Sequence, residues 1–373
     1  HRDLHLSIRR QRQMCIRDRG HFMLDNITQV FLVFIKKFGV KFNTRFLIFH
    51  FYLVGHFGIS INCSETGKCG CRDIIHSHPF GPSPKLAEVV KSFKAFWDFM
   101  KLKPKIVIGF GGYPSFPAIL VAKMLIIRFM VHEQNAVPGL TNKWLSRFSR
   151  KVFEAFPNTF ANKVGAIYTG NPLRNEILSI SNPSVSVSKG SGFNLLVIGG
   201  SQGSLAINKV IPELAANWSS TASLNIRHQT GSTNLQETLL HYEKLGLQIG
   251  DNIVVEPFIN EMAEAYNWAD MVICRSGAST VSELAAVGLP SILVPYPHHK
   301  DQQQLLNAKW LAESGGASII EQKHFSAKAA LQILLSLSED RIQLAELGEK
   351  VRTLAIPNAD ELISQHCMEV VNG

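Results

Sequence analysis

MVICRSGASTVSELAAVGLPSILVPYPHHKDQQQLLN, residues 271–307, is the stretch whose reading decides the fold. Met271 to Cys274 is a short apolar, β-rich run ending in Arg275-Ser276-Gly277. Thr280 to Val287 then spaces its apolar residues with a helical period. Strand, small-residue turn and helix follow one another, a layout that aims unsatisfied backbone N–H groups at an anion. Glu283 falls about one turn into the helix, a second strand runs from Ser291 to Pro295, and His298 to Gln304 is dense in donors and acceptors. Small turn residues, a carboxylate and a glutamine cluster, in that order, suit a diphosphate, a ribose and a sugar. An ordinary βαβ unit with a tight turn accounts for the spacing equally well.

Outward from this stretch, 373 residues with 46% hydrophobic content predict two globular domains with sizeable cores. The formal charge of +9 is uneven: residues 1–50 hold ten Lys and Arg against three Asp and Glu. The remainder is nearly balanced, so the basic balance does not point to nucleic acid. Six cysteines in a chain this long argue against a disulfide framework and for a reducing compartment. Cys63, Cys69 and Cys71 cluster without a zinc-type spacing, so no metal site is expected. Phe46 to Ser60 is the most apolar run; it is too short for a bilayer span and carries two histidines. Residues 1–19 show dense charge and no period, and read as foreign or disordered sequence, with a basic binding arm as the rival reading. Residues 20–80 are rich in Phe and His without a Gly-rich turn, as a shifted reading frame would leave them.

From Pro82 the pattern becomes regular. Leu86, Val89, Val90, Phe93, Phe96, Trp97 and Met100 share one helical face flanked by lysines, which suits docking on a core or lying on an anionic membrane surface. A strand at Lys105 to Phe110, a turn at 111–115, a helix at Ala118 to Leu125 and a strand at Ile126 to Val131 follow. His132-Glu133-Gln134-Asn135 then places polar groups at the carboxyl end of a parallel strand, where open α/β sheets bind ligands. Residues 180–192 are Ser-rich and read as the linker. A fresh unit opens at Asn194 to Ile198 with the turn Gly199-Gly200-Ser201-Gln202-Gly203. Strand–helix alternation in both halves predicts two doubly wound parallel sheets facing each other across a cleft. The expected division is 20–180 for an acceptor-side and membrane-side domain, 193–345 for a nucleotide-sugar domain, and 346–373 for helices that can cross back to the first domain.

GFGGYPSFP at 109–117, HEQNAVPGLTNKWL at 132–145, TGNPLR at 169–174, GGSQGS at 199–204 and the stretch 274–308 occur together and in order. In this the chain resembles glycosyltransferase family 28, and within it the bacterial transferases that add N-acetylglucosamine to the lipid-linked muramyl-pentapeptide precursor of peptidoglycan. The resemblance covers roughly residues 80–370. It implies the GT-B fold, two Rossmann-like domains across a cleft, with UDP-GlcNAc as donor and a polyprenyl-diphosphate-linked muramyl-pentapeptide as acceptor. It also implies inverting transfer without a metal or other cofactor, by a peripheral protein on the cytoplasmic face of the bacterial inner membrane.

The same resemblance implies the site. Ser201, Gln202 and Gly203 would contact the donor. The backbone at Ile259 would recognise uracil. Ser276, Gly277, Ala278, Ser279 and Thr280, through Ser282, would cradle the diphosphate. Glu283 would take the ribose hydroxyls, Gln303 and Gln304 the sugar hydroxyls, and Asn135 and Arg174 further donor groups. Helix capping by Asn135 and Ser201, and an interdomain ion pair at Arg174, are the plain structural alternatives. One departure stands out: the family's N-terminal GGTGGH loop, which carries the favoured base, is not found here. Gly20-His21-Phe22 is its nearest counterpart, so His21 is the expected base, with His132 and Glu133 as further polar groups at the cleft. A donor-binding remnant without turnover and a UDP-GlcNAc 2-epimerase are the competing functions.

Overall fold

The computed structural model describes residues 60–63, 69–72, 95–180, 192–200, 202–299 and 301–372. The expectations for residues 1–19, for the loop remnant with His21, and for the linker lie outside them. Ser60–Cys63 (β1) and Cys69–Arg72 (β2) pair antiparallel.

The N-terminal sheet is built from Ile106–Gly109 (β3), Arg128–Glu133 (β4), Val152–Glu154 (β5) and Ile167–Tyr168 (β6), all parallel and in chain order. One face carries the helices 95–102 (α1), Gly112–Met124 (α2) and Leu140–Leu145 (α3), which share a core with Val107, Phe129 and Val131. Two expectations shift here. Helix α2 begins six residues early, inside the expected turn, because a proline in a first helical turn removes an N–H that would have no intrahelical partner. Ile126 then turns the chain with φ 58°, so β4 starts two residues late and runs on through His132 and Glu133. Those two residues are therefore buried strand positions rather than loop groups. In α1 the core side is Ala95 and Phe99, while Phe96, Trp97 and Met100 face solvent.

A short helix, Asn175–Leu178 (α4), leads out of the first domain. The second contains Gly192–Ile198 (β7), Leu205–Ala216 (α5), Ser223–Gln229 (β8), Leu235–Lys244 (α6), Ile253–Glu256 (β9), Met262–Trp268 (α7) and Met271–Cys274 (β10). Ala278–Val287 (α8), Ser291–Leu293 (β11), Gln303–Ala312 (α9), Ala317–Ile319 (β12), Ala327–Glu339 (α10), Arg341–Arg352 (α11) and Ala359–Asn372 (α12) complete the chain. Its six strands are parallel in the order β12-β11-β10-β7-β8-β9. Central strands β10 and β11 are buried at every residue, as their unbroken apolar runs require when helices cover both faces.

This strand order reverses direction between β7 and β10. Open α/β sheets bind ligands at such a switch point, beyond the carboxyl ends of the strands. Register brings Ile198, Cys274 and Leu293 level, so the turns after β7, β10 and β11 open at one edge. Gly288, at φ 74°, ends α8, and a Cβ there would stand 3.0 Å from the Gly348 carbonyl. The cleft has an apolar floor: Phe156 of the first domain meets Trp310 of α9 edge-on at 4.8 Å. Helix α12 returns to the first sheet, packing Ile363 and Cys367 against Ile106, Ile108, Met130 and Phe153.

Candidate active site

Gly277 caps α8 and brings no side chain that could hydrogen-bond the first-turn amides. The N–H groups from Ala278 to Thr280 therefore point out of the helix at the switch point, backed by the positive end of the helix dipole. Two hydroxyls expected in this cradle have other partners. Ser276 is fully buried and its Oγ donates to the Gln304 carbonyl at 2.8 Å, tying the β10–α8 turn to α9. Ser282 Oγ accepts from Asn171 Nδ2 at 3.1 Å, a bond from the first domain to the second. The cradle is thus backbone, with Ser276 as its fastening.

Glu283 points back from α8 into a buried setting. Tyr266 Oη of α7 donates to its Oε2 at 2.9 Å, and Arg174 of the first domain approaches its Oε1 at 3.4 Å. Burial raises the Glu283 carboxyl above the usual range, while Arg174 and the Tyr266 hydroxyl pull it back. Two of the expected donor residues are thereby paired with each other across the cleft. Among the described residues, Arg174 Nε has no hydrogen-bond partner.

The opposite wall is the loop after β4. Glu133 accepts from Asn135 N (3.1 Å), Asn135 Nδ2 (3.3 Å), Gly139 N (3.0 Å) and Asn142 Nδ2 (2.9 Å). His132 is fully buried; its Nε2 donates to the Gly170 carbonyl at 3.0 Å, and burial lowers its pKa to about 4. Neither is presented to the cleft as a base would be: Glu133 is engaged in holding its loop, and His132 is fully buried with its Nε2 on the Gly170 carbonyl. The expectation placed both at the cleft because it ended β4 two residues too early.

Asn307 of α9 joins the walls and was not singled out from sequence. It is fully buried, its Oδ1 accepts from Ala136 N at 2.9 Å, and its Nδ2 donates to Ser276 O (3.2 Å) and Asn135 Oδ1 (3.3 Å). Asn135 accordingly caps no helix; it sits between Glu133 and Asn307.

After β7 the turn is set by close backbone approach. Gly203 has φ 70°, and a Cβ there would lie 1.7 Å from the Thr230 carbonyl, so no other residue fits. Gln202 presents its side chain to solvent and its carbonyl to Asn234 Nδ2 at 3.4 Å. Ser201 lies outside the described residues. Behind the turn, Asn208 Nδ2 holds the Thr230 carbonyl at 2.9 Å and its Oδ1 meets His228 Nε2 at 3.2 Å. His228 Nδ1 contacts Tyr242 Oη at 3.1 Å, and burial lowers this histidine to about 3. Gln304 Oε1 accepts from Tyr296 N at 2.9 Å, which leaves its amide N–H groups available, and Gln303 Nε2 donates to Asp301 at 2.8 Å. The Ile259 side chain is in the core, so only its backbone can serve a ligand. Among the described residues no group of three His, Cys, Asp or Glu side chains is placed to hold a metal ion.

A model of the glycosyltransferase family 28 C-terminal domain matches residues 194–363, and the corresponding N-terminal domain model matches 57–154. The transferase of Marinobacter nauticus named UDP-N-acetylglucosamine–N-acetylmuramyl-(pentapeptide) pyrophosphoryl-undecaprenol N-acetylglucosamine transferase is 37% identical over 80% of this chain and 84% of its own. The chain belongs to glycosyltransferase family 28. A Haemophilus ducreyi family member with the same name is 44% identical over 72% of this chain and 74% of its own. The crystal structure of Acinetobacter baumannii MurG is 33% identical, covers 84% of each chain and superposes with a TM-score of 0.65. The family match begins at residue 57, so the last part of the segment read as frameshifted lies within it. The parallel-sheet pair and its cleft are the GT-B architecture of that family.

Proposed function

We infer that this chain is an N-acetylglucosaminyltransferase moving GlcNAc from UDP-GlcNAc to a polyprenyl-diphosphate-linked muramyl-pentapeptide. The observation that carries the reading is the α8 N-terminus opening at the switch point, in a chain 37% identical to a transferase named for that reaction. The acceptor's sugar 4-hydroxyl attacks the donor anomeric carbon, the bond from that carbon to the diphosphate oxygen breaks, and its electron pair leaves with UDP. Charge on the leaving diphosphate grows as that bond breaks, and preorganised backbone dipoles at Ala278 to Thr280 stabilise it without a metal. Glu283 accepts the ribose hydroxyls. Gln303 and Gln304 read the sugar, the turn at Gly199 to Gly203 contacts the donor, and Asn135 and Arg174 supply further donor contacts. The hydroxyl's proton goes to a general base, for which His21 is proposed; Glu133 and His132 hold the cleft wall instead.

We further propose that the protein works from a membrane surface. No described helix is long and apolar enough to cross a bilayer. Phe96, Trp97 and Met100 of α1, Ile126, Trp144 of α3 and Phe148 are exposed, as are Lys101, Lys103 and Lys143. Lys123 Nζ lies 3.3 Å from the Phe148 ring centroid. Apolar side chains bordered by cations suit an anionic lipid interface, and an acceptor with a polyprenyl tail requires one.

The test is transfer of labelled GlcNAc from UDP-GlcNAc to the lipid-linked acceptor. A disaccharide product with stoichiometric UDP is expected. Tight donor binding without product would return the chain to a binding remnant, and UDP-ManNAc as the product would make it an epimerase.

A further inference from the structure

Tyr266 is not a residue that the donor site, as assigned above, contains. It lies on α7, at 1% exposure, and its hydroxyl spends its proton on Glu283 Oε2 at 2.9 Å. We propose that Tyr266 is a positioning residue for the donor ribose, holding the Glu283 carboxylate in the orientation that accepts the ribose hydroxyls. The inference rests on the reading of Glu283 as the ribose acceptor.

A carboxylate offers about four lone-pair directions on its two oxygens. Tyr266 occupies one on Oε2 and Arg174 one on Oε1, which leaves one on each oxygen, the arrangement a vicinal diol matches. The two anchors are not equivalent. Arg174 belongs to the other domain and stands at 3.4 Å, whereas Tyr266 belongs to the same domain and packs in the same core as α8. Tyr266 is thus the anchor that persists whatever Arg174 contacts when a donor is bound.

The anchor also keeps Glu283 ionised. Burial disfavours its charge, and the groups opposing that are the Arg174 guanidinium and the Tyr266 hydroxyl. Burial pushes the phenol's own pKa well above its ordinary value, so it remains a donor throughout the working range. The Cys274 thiol at the end of β10 also faces Tyr266, and burial pushes it up to about 12, so it is neutral. Removing the phenol hydroxyl therefore raises the Glu283 pKa, and the ionised form then requires a higher pH.

A core tyrosine satisfied by a convenient carboxylate would show the same distance, and the following measurement separates the two. Affinities of the full chain for UDP-GlcNAc and for its 2′,3′-dideoxyuridine counterpart (the deoxy donor) are measured by calorimetry across pH, for the native protein, Tyr266→Phe, Glu283→Ala and the double variant. The native chain should prefer the ribo donor, and Tyr266→Phe should lose about tenfold in ribo-donor affinity, the scale of a hydrogen bond to a charged group. It should lose little for the deoxy donor, and the acid limb of its ribo-donor affinity should move to higher pH. In the Glu283→Ala background, Tyr266→Phe should change nothing further. Equal losses for both donors, or an acid limb that does not move, would overturn the positioning role while Glu283→Ala alone still abolishes the preference. If Glu283→Ala itself retains the ribo preference, the ribose assignment fails, and this inference falls with it.

Discussion

Replacing Asn307 tests whether the cleft walls are joined through one buried amide. In Asn307→Ala the Ala136 N–H and the Ser276 carbonyl lose partners at 2.9 and 3.2 Å. Each buried polar group left unpaired costs about 1–3 kcal/mol, so the pair predicts a loss of about 2–6 kcal/mol. For domains of this size that is a fall in Tm of roughly 5–15 °C. Asn307→Asp discriminates between hydrogen bonding and packing. It keeps the volume and an acceptor for Ala136 N, but turns oxygen against the oxygens of Ser276 and Asn135. If the bonds matter, the aspartate is no better than the alanine. The assay is denaturant unfolding of the three proteins, with UDP-GlcNAc calorimetry alongside, since the Ser276 turn leads directly into the diphosphate cradle. An aspartate variant as stable as the native chain, or an alanine variant losing less than about 0.5 kcal/mol, the scale of ordinary surface changes, would refute the reasoning.

Three further outcomes are expected. Gln303→Ala should weaken UDP-GlcNAc and leave UDP unchanged in calorimetry; equal losses would mean that Gln303 does not read the sugar. Phe96→Ser with Trp97→Ser should release the protein from anionic vesicles, and salt should do the same to the native chain; sedimentation insensitive to both would end the membrane proposal. His228 and His132 are held neutral at about 3 and about 4, whereas the unfolded chain takes up those protons near pH 6.5. The unfolded state binds more protons between these limits, so stability rises with pH there and is lost on acidification, by up to about 1.4 kcal/mol per pH unit for each histidine. His228→Gln should flatten the slope between pH 4 and 6 by about one proton, and an unchanged slope would show that the native protein already protonates this ring.

Local pattern was sufficient for much of the second domain. Strand β10 has the bounds read from sequence, because a four-residue apolar run is closed by the small turn residues that follow it. The first domain was less legible at its joints. The expected turn at 111–115 is largely helix because proline is tolerated in a first turn, and Ile126 adopts a positive φ that nothing in its own side chain favours.

The sequence by itself determined the class of fold, the family, and the candidate donor groups around α8, since these follow from short-range period, turn chemistry and ordered motifs. Tertiary structure alone decided which polar groups are free. Glu133 and His132 look like cleft residues in the chain, yet strand register buries both and assigns their hydrogen bonds to the loop after β4 and to Gly170. Tyr266 and Asn307 look like ordinary helix residues, and acquire their roles from Glu283 and from Ala136, 17 and 171 positions away in sequence. A buried polar atom must find a partner, but when the partner comes from another element its identity depends on strand order and domain approach, and no local spacing carries that information.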